Sequence, residues 1–195
     1  MNNRTTDTIL GEEKIGKLLA KLSLPATIAM LVSGLYNLVD TIFVGQGVGA
    51  DAIGGLAITF PFQMLIMAFG GMIGTGAASV ISRRLGEQNK EAASRSAGNA
   101  ITIALITGIL FSFIGYLFMN DILYLFGATG GLINYAKDYL SIILIGNTFI
   151  IFAMTSNNII RSEGKAKVAM VSMLIGAVGN IILDPVFIFG LNMGI

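Results

Sequence analysis

The sequence predicts an all-α membrane protein with five transmembrane helices, and three observations carry that expectation. Of 195 residues only 12% are Asp, Glu, Lys or Arg, while 54% are apolar. A soluble domain carries about 25% charged residues, so half that share leaves too little charge to solvate a globular surface. Mean hydropathy is +0.80. The apolar residues are gathered into five stretches, at about Leu22–Gly45, Ile53–Ile81, Ala97–Met119, Tyr139–Ile160 and Val168–Phe189. Each reaches the roughly 20 residues that a helix needs to cross a hydrocarbon core of about 30 Å. Membrane β-strands would be about 10 residues long and alternate in polarity, which these stretches do not. In lipid the backbone must pair within each segment, so helices remain. The same composition speaks against a soluble enzyme and a disordered chain, and a net charge of +1 speaks against a nucleic-acid binder.

The elements follow in order. Residues 1–21 are polar and mixed in charge (Arg4, Asp7, Glu12, Glu13, Lys14, Lys17, Lys21) and lack the apolar core and cleavage site of a secretory signal. The first span closes on Gly45-Gln46-Gly47-Val48-Gly49-Ala50, read as a tight turn; no strand precedes it, as a phosphate loop would require. The second contains Phe69-Gly70-Gly71-Met72-Ile73-Gly74-Thr75-Gly76, whose small residues let helices approach closely. The 120–138 loop, with Asn120-Asp121-Ile122-Leu123-Tyr124-Leu125-Phe126, predicts a short interfacial helix. The loops also orient the bundle. Eleven of the 12 basic residues lie before the first span, between the second and third, and between the fourth and fifth; the other side has only Lys137. The positive-inside rule places the N-terminus and the basic loops in the cytoplasm and makes the chain a multi-pass protein of the cell membrane.

Absences narrow the chemistry. Without Cys or His the usual soft-metal ligands and general bases are missing. No nucleophile–base pair is visible, so the chain is read as a non-enzyme without a cofactor. No Lys or Arg falls inside the five stretches as bounded above, but two carboxylates do, Asp40 in the first and Asp184 in the fifth. Such residues are functional candidates because burial of charge in lipid costs several kcal/mol. Asp40 is 19 residues beyond Lys21 and Asp184 is 17 beyond Lys167, about 28 Å and about 26 Å along a helix. Both helices run outward, so the acids sit at matched depth and can face one site. The plainer alternative is that each lies near a helix end and reaches headgroup water. Asn37 with Asp40, and Asn180 with Asp184, are spaced to share a helix face. Pro185 frees the carbonyl of Ile181. Carboxylates, amides and a freed carbonyl form an oxygen-rich set suited to a proton or a hard cation such as Na⁺. Tyr36, Gln63, Asn147, Thr148, Asn157 and Asn158 are the other polar groups in spans, a class that most often makes interhelical hydrogen bonds. The 10 Met and 12 Phe residues are core or lipid-facing, with a minority available to line a pocket for bulky substrates.

Several motifs together resemble the multidrug and toxic compound extrusion (MATE) family, in its MepA-like bacterial branch. Asn37-Leu38-Val39-Asp40-Thr41-Ile42-Phe43-Val44-Gly45 is similar to the family's first-helix signature, Ser82-Arg83-Arg84-Leu85-Gly86-Glu87 to its first cytoplasmic loop, Asn158-Ile159-Ile160-Arg161-Ser162-Glu163-Gly164 to the end of its fourth helix, and Gly179-Asn180 through Asp184-Pro185 to its fifth. The resemblance implies a two-lobed, twelve-helix carrier that exports organic cations and other amphipathic compounds in exchange for H⁺ or Na⁺ by alternating access. It implies that Asp40, Asn180 and Asp184 bind the coupling cation, with Tyr36, Asn37, Asn157 and Asn158 as members of the surrounding network. On this reading the chain is an incomplete six-helix N-lobe, a fragment whose partners are amphipathic substrates, the bilayer and a missing C-terminal lobe. The alternatives are a related lipid-linked saccharide flippase, whose cavity basic residues have no counterpart in a span here, and a non-transporting truncated membrane module.

Overall fold

The computed structural model describes residues 15–47 and 49–190. The chain forms α1 (Ile15–Gly47), α2 (Ala50–Gly86), α3 (Lys90–Leu117), the short α4 (Met119–Leu125), α5 (Leu132–Ser162) and α6 (Ala166–Pro185), followed by a wider π-helical turn over Val186–Gly190. No strand occurs among the described residues. Among the described residues, five helices carry segments long and apolar enough to cross a membrane: Ser23–Gly47, Asp51–Gly86, Lys90–Leu117, Leu132–Ser162 and Ala166–Ile188. The five predicted spans are thus found, and α4 falls where the short interfacial helix was expected.

The helices run past the apolar stretches. Hydropathy marks only what lies in hydrocarbon, whereas a capped helix continues into water. α3 begins at Lys90, well before Ala97, because the Asn89 side chain accepts from Ala92 N at 3.0 Å and so satisfies an orphan amide of the first turn. Arg95 and Glu91, 2.6 Å apart, bridge one exposed turn of the same extension. α1 reaches back to Ile15, so residues 15–21 of the polar leading segment are helical; residues 1–14, with Arg4 and Lys14, lie outside the described residues. The spans likewise take in basic residues in their last turns, Arg83 and Arg84 on α2 and Arg161 on α5, which amends the reading that spans exclude them.

Packing divides the bundle into two parts. α2, α3 and α5 pack closely on one another, and α1 pairs with α6. The three-helix part holds the main core of Phe62, Ile66, Ala104, Leu140, Leu144 and Ile151, closed at one end by Leu123 of α4. Phe111 of α3 meets Phe69 of α2 with ring centroids 4.8 Å apart. A smaller core of Ile81, Ala93, Ala100 and Ile159 lies at the other end, beside the basic loops. Small residues set the spacing. A Cβ on Gly108 of α3 would sit 2.6 Å from the Thr148 Cα of α5, and one on Gly74 of α2 would sit 2.7 Å from the Asn158 amide nitrogen. Gly70 and Gly74 act as the glycine-rich sequence suggested, while Gly71 and Gly76 have open space around them. Elsewhere the helices turn apolar side chains outward, among them Phe149 at 73% exposure and Ile145 at 72%, the surface expected of a chain solvated by lipid.

The α5–α6 turn uses Gly164 at φ 76°, a left-handed conformation that glycine adopts without a Cβ clash. The Glu163 carboxylate lies 2.8 Å from the Lys165 ammonium and holds it above its ordinary range.

Candidate functional site

The site lies where the α1–α6 pair meets the three-helix part. Tyr36 and Asp40 stand one helical turn apart on α1, and Asn180 and Asp184 one turn apart on α6. An i, i+4 spacing keeps each pair on one face. The Asn180 amide hydrogen-bonds the Tyr36 hydroxyl, and the charges of both carboxylates act on that hydroxyl. The charge of Asp40 also acts on Asp184 and on Tyr139 of α5. Gln63 of α2 hydrogen-bonds Tyr139 and donates to Thr59 Oγ1 at 3.3 Å. Asp40, Asp184, Tyr36 and Tyr139 are each half-buried.

The electrostatics are lopsided. Among the described residues, no Lys or Arg is one of the groups acting on either carboxylate. Asp184 Oδ2 is buried with no hydrogen-bond partner among the described residues. A buried carboxylate oxygen without a donor is costly. Beside a second carboxylate it has two remedies, a proton or a bound cation. The ligands on hand are carboxylate, amide and phenol oxygens, which suit hard ions. No group of three or more His, Cys, Asp or Glu that could hold a metal ion occurs among the described residues. After Asp184 the helix gives way at Pro185 to the π-helical turn, so backbone geometry changes beside the acid, as the proline led one to expect.

Asp40, Asp184, Asn180 and Tyr36 are therefore brought together. Asn37 is not. Its amide donates to Ser33 O at 2.8 Å, and its side chain is exposed. The expectation that Asn157 and Asn158 share this network is corrected as well. They lie 18 and 19 residues past Tyr139 on α5, about 27 Å along the helix. Asn157 donates to Ala169 O at 3.0 Å and to Ser172 Oγ at 3.3 Å, tying α5 to α6. Asn158 donates to Met154 O at 2.9 Å. Asn147 is fully buried between helices and donates to Gly108 O at 3.1 Å, the structural role that class of residue most often has. Sequence reasoning missed Tyr139, although it opens the fourth apolar stretch, and gave Gln63 only a helix-packing role.

Comparison with known proteins gives the following. The family profile described as MatE matches residues 25–186. The chain is 32% identical over 184 residues to the multidrug export protein MepA of Staphylococcus haemolyticus (strain JCSC1435), covering 94% of this chain and 41% of that relative. It is 28% identical over 178 residues to a Shewanella oneidensis protein described as an FAD transporter, covering 91% of this chain and 39% of the relative. Among solved structures, it is similar to the MATE multidrug transporter DinF-BH in complex with a small molecule, with a TM-score of 0.89 at 51% identity over 94% of this chain and 41% of the other. An outward-facing MATE family transporter gives a TM-score of 0.86 at 35% identity, over 91% of this chain and 39% of the other. The chain thus spans about two-fifths of the length of the curated relatives it matches.

Proposed function

The chain belongs to the MATE family of multi-pass membrane transporters, and from that premise we propose that it supplies the ion-coupling part of an exporter of organic cations or amphipathic compounds. The coupling ion is H⁺ or Na⁺, and the residues that bind it are Asp40, Asp184 and Asn180, with Tyr36, Tyr139 and Gln63 completing the shell. The observation that carries this reading is the pair of acids facing each other across α1 and α6 with no basic partner, one of them holding a buried oxygen without a donor.

The mechanism follows from where the pair stands. With the ion absent, two carboxylates repel across the α1–α6 interface and against the Tyr139 side of the core. With it bound, one negative charge is neutralised and the four helices around the site draw together. Alternating access needs such a bistable seam, because an ion shifts a conformational equilibrium only through different affinity for the two states. Basic loops in the cytoplasm orient the seam so that ion entry from outside drives export. The bulky cargo class is supported by two relatives, one solved with a small molecule bound and one described as an FAD transporter. Relatives of this kind do not favour the saccharide-flippase alternative, and we read the chain as a transporter rather than an enzyme.

The test is drug efflux from cells expressing the full gene product with Asp40→Asn or Asp184→Asn. Each substitution keeps the shape and removes the charge. Both should abolish ion-dependent efflux while the protein still reaches the membrane. Efflux unchanged in both variants would end this assignment.

A further inference from the structure

A second polar cluster lies at the basic-loop end of the bundle, far from the carboxylate pair. Met154, Asn157, Asn158 and Arg161 of α5 and Ser172 and Met173 of α6 surround a cavity of about 390 Å³. That falls within the roughly 300–1,000 Å³ of small-ligand sites. Arg161 also lines a smaller cavity of about 160 Å³ beside Pro25 and Ala26 of α1. Its guanidinium thus stands where α1, α5 and α6 meet.

Arg161 is underused. Its hydrogen bond runs from Nη2 to the Met173 sulfur at 3.3 Å. A thioether is a weak acceptor, and a guanidinium offers five N–H donors in a planar fork. No carboxylate pairs with Arg161 among the described residues, and the acid nearest in sequence, Glu163, is engaged by Lys165 at 2.8 Å. Asn157 directs its amide hydrogens to Ala169 O and Ser172 Oγ, and Asn158 directs its own to Met154 O. Their amide oxygens are left as acceptors at the cavity wall. Met154 and Met173 make the rest of that wall apolar and adaptable. The height is also informative. Arg161 is in the last turn of its span, as are Arg83 and Arg84 of α2, so it lies at the level of lipid headgroups.

We propose that this cavity binds the anionic head, a phosphate or carboxylate, of an amphiphile. The Arg161 fork takes the anion, where paired N–H donors match two oxygens. The Asn157 and Asn158 oxygens accept from hydroxyl or ammonium groups beside it, and the Met154 and Met173 wall holds the apolar body. The ligand arrives either from the leaflet at the basic end or from the aqueous phase on that side. The site is separate from the carboxylate pair and does not depend on the transport reading.

Native mass spectrometry of the purified full gene product in neutral detergent tests this, with phosphatidylglycerol and phosphatidylcholine as probes. Phosphatidylglycerol, which combines an anionic phosphate with hydroxyl donors, should bind in preference to phosphatidylcholine. Arg161→Gln should lower its affinity about tenfold or more, the loss expected for one charge-assisted bidentate contact. Ala153→Leu keeps the guanidinium but fills the cavity that Ala153 lines, and it should weaken binding as well. Arg84→Gln, whose guanidinium pairs with Glu87 at 2.9 Å outside the cavity, should not. Displacement by millimolar inorganic phosphate identifies a head taken from water. Failure of phosphate to compete identifies a lipid held by head and chain together. Either result supports the site. Affinity within about twofold of the unsubstituted protein in both folded variants, Arg161→Gln and Ala153→Leu, would overturn it.

Discussion

At the residue scale, the proposed coupling site consists of six side chains drawn from four helices. Asp40 and Asp184 carry the charge, and Tyr139 and Gln63 shape the shell around them. Tyr139→Phe removes a hydroxyl that is hydrogen-bonded to Gln63 and lies in the field of Asp40. One hydrogen bond of this kind contributes about 1 kcal/mol. The apparent affinity for the coupling ion should therefore fall about fivefold, with maximal transport largely retained. An ion titration of transport checks this, and an unchanged half-saturation point would remove Tyr139 from the shell. The two acids and Asn180 were legible in the sequence because a carboxylate in an apolar stretch stands out by itself. Tyr139 and Gln63 were not, because polar aromatic and amide residues are common in spans and only tertiary packing distinguishes a shell member. Asn37 shows the limit of spacing rules. An i, i+3 neighbour lies about 60° to one side of Asp40 and an i, i+4 neighbour about 40° to the other. The face turned to α6 carries Tyr36, and Asn37 turns away to bond Ser33 O.

At the element scale, the contrast is between a close-packed α2–α3–α5 core and the α1–α6 pair that bears the acids. The core depends on close approach. Gly108→Ala forces a Cβ to 2.6 Å from the backbone of Thr148, so α3 and α5 must separate. Overpacking of this sort costs about 1–3 kcal/mol. Gly98, on the same helix, has open space where a Cβ would stand, with nothing within 4 Å. Gly98→Ala should therefore be neutral or stabilising, by up to about 1 kcal/mol of helix propensity. Thermal unfolding in detergent separates the two; equal melting temperatures would show that α3 and α5 do not meet at Gly108. The existence of the five spanning helices among the described residues was readable from hydropathy, and so was α4. Helix ends were not, since caps such as Asn89 and exposed pairs such as Glu91–Arg95 extend helices beyond any apolar signal. Which helices pair was also hidden, because lipid-facing and core-facing residues are equally apolar.

At the scale of the whole molecule, the basic residues are gathered at one end of the bundle, and the proposed orientation places that end in the cytoplasm. The chain contains no cysteine, so an introduced thiol is the one thiol in this part of the protein. Ser94→Cys on α3 and Thr129→Cys before α5 are both exposed positions at opposite ends of the bundle. A membrane-impermeant thiol reagent applied to intact cells should label Thr129→Cys and spare Ser94→Cys, as the positive-inside rule requires. The reverse pattern would invert the proposed direction of ion entry. Helix number is a sum over many apolar residues, which is why it survives reading from sequence. The α1–α6 seam arises from three-dimensional packing and has no sequence signature of its own.

The central claim is that the Asp40–Asp184 pair couples an ion to cargo movement. Its most direct test is cargo flux in proteoliposomes containing the full gene product, with a proton gradient and a Na⁺ gradient imposed separately, before and after Asp184→Asn. One gradient should accelerate flux in the unsubstituted protein, and that acceleration should vanish in the variant while passive cargo binding persists. Equal acceleration in both proteins would contradict the account.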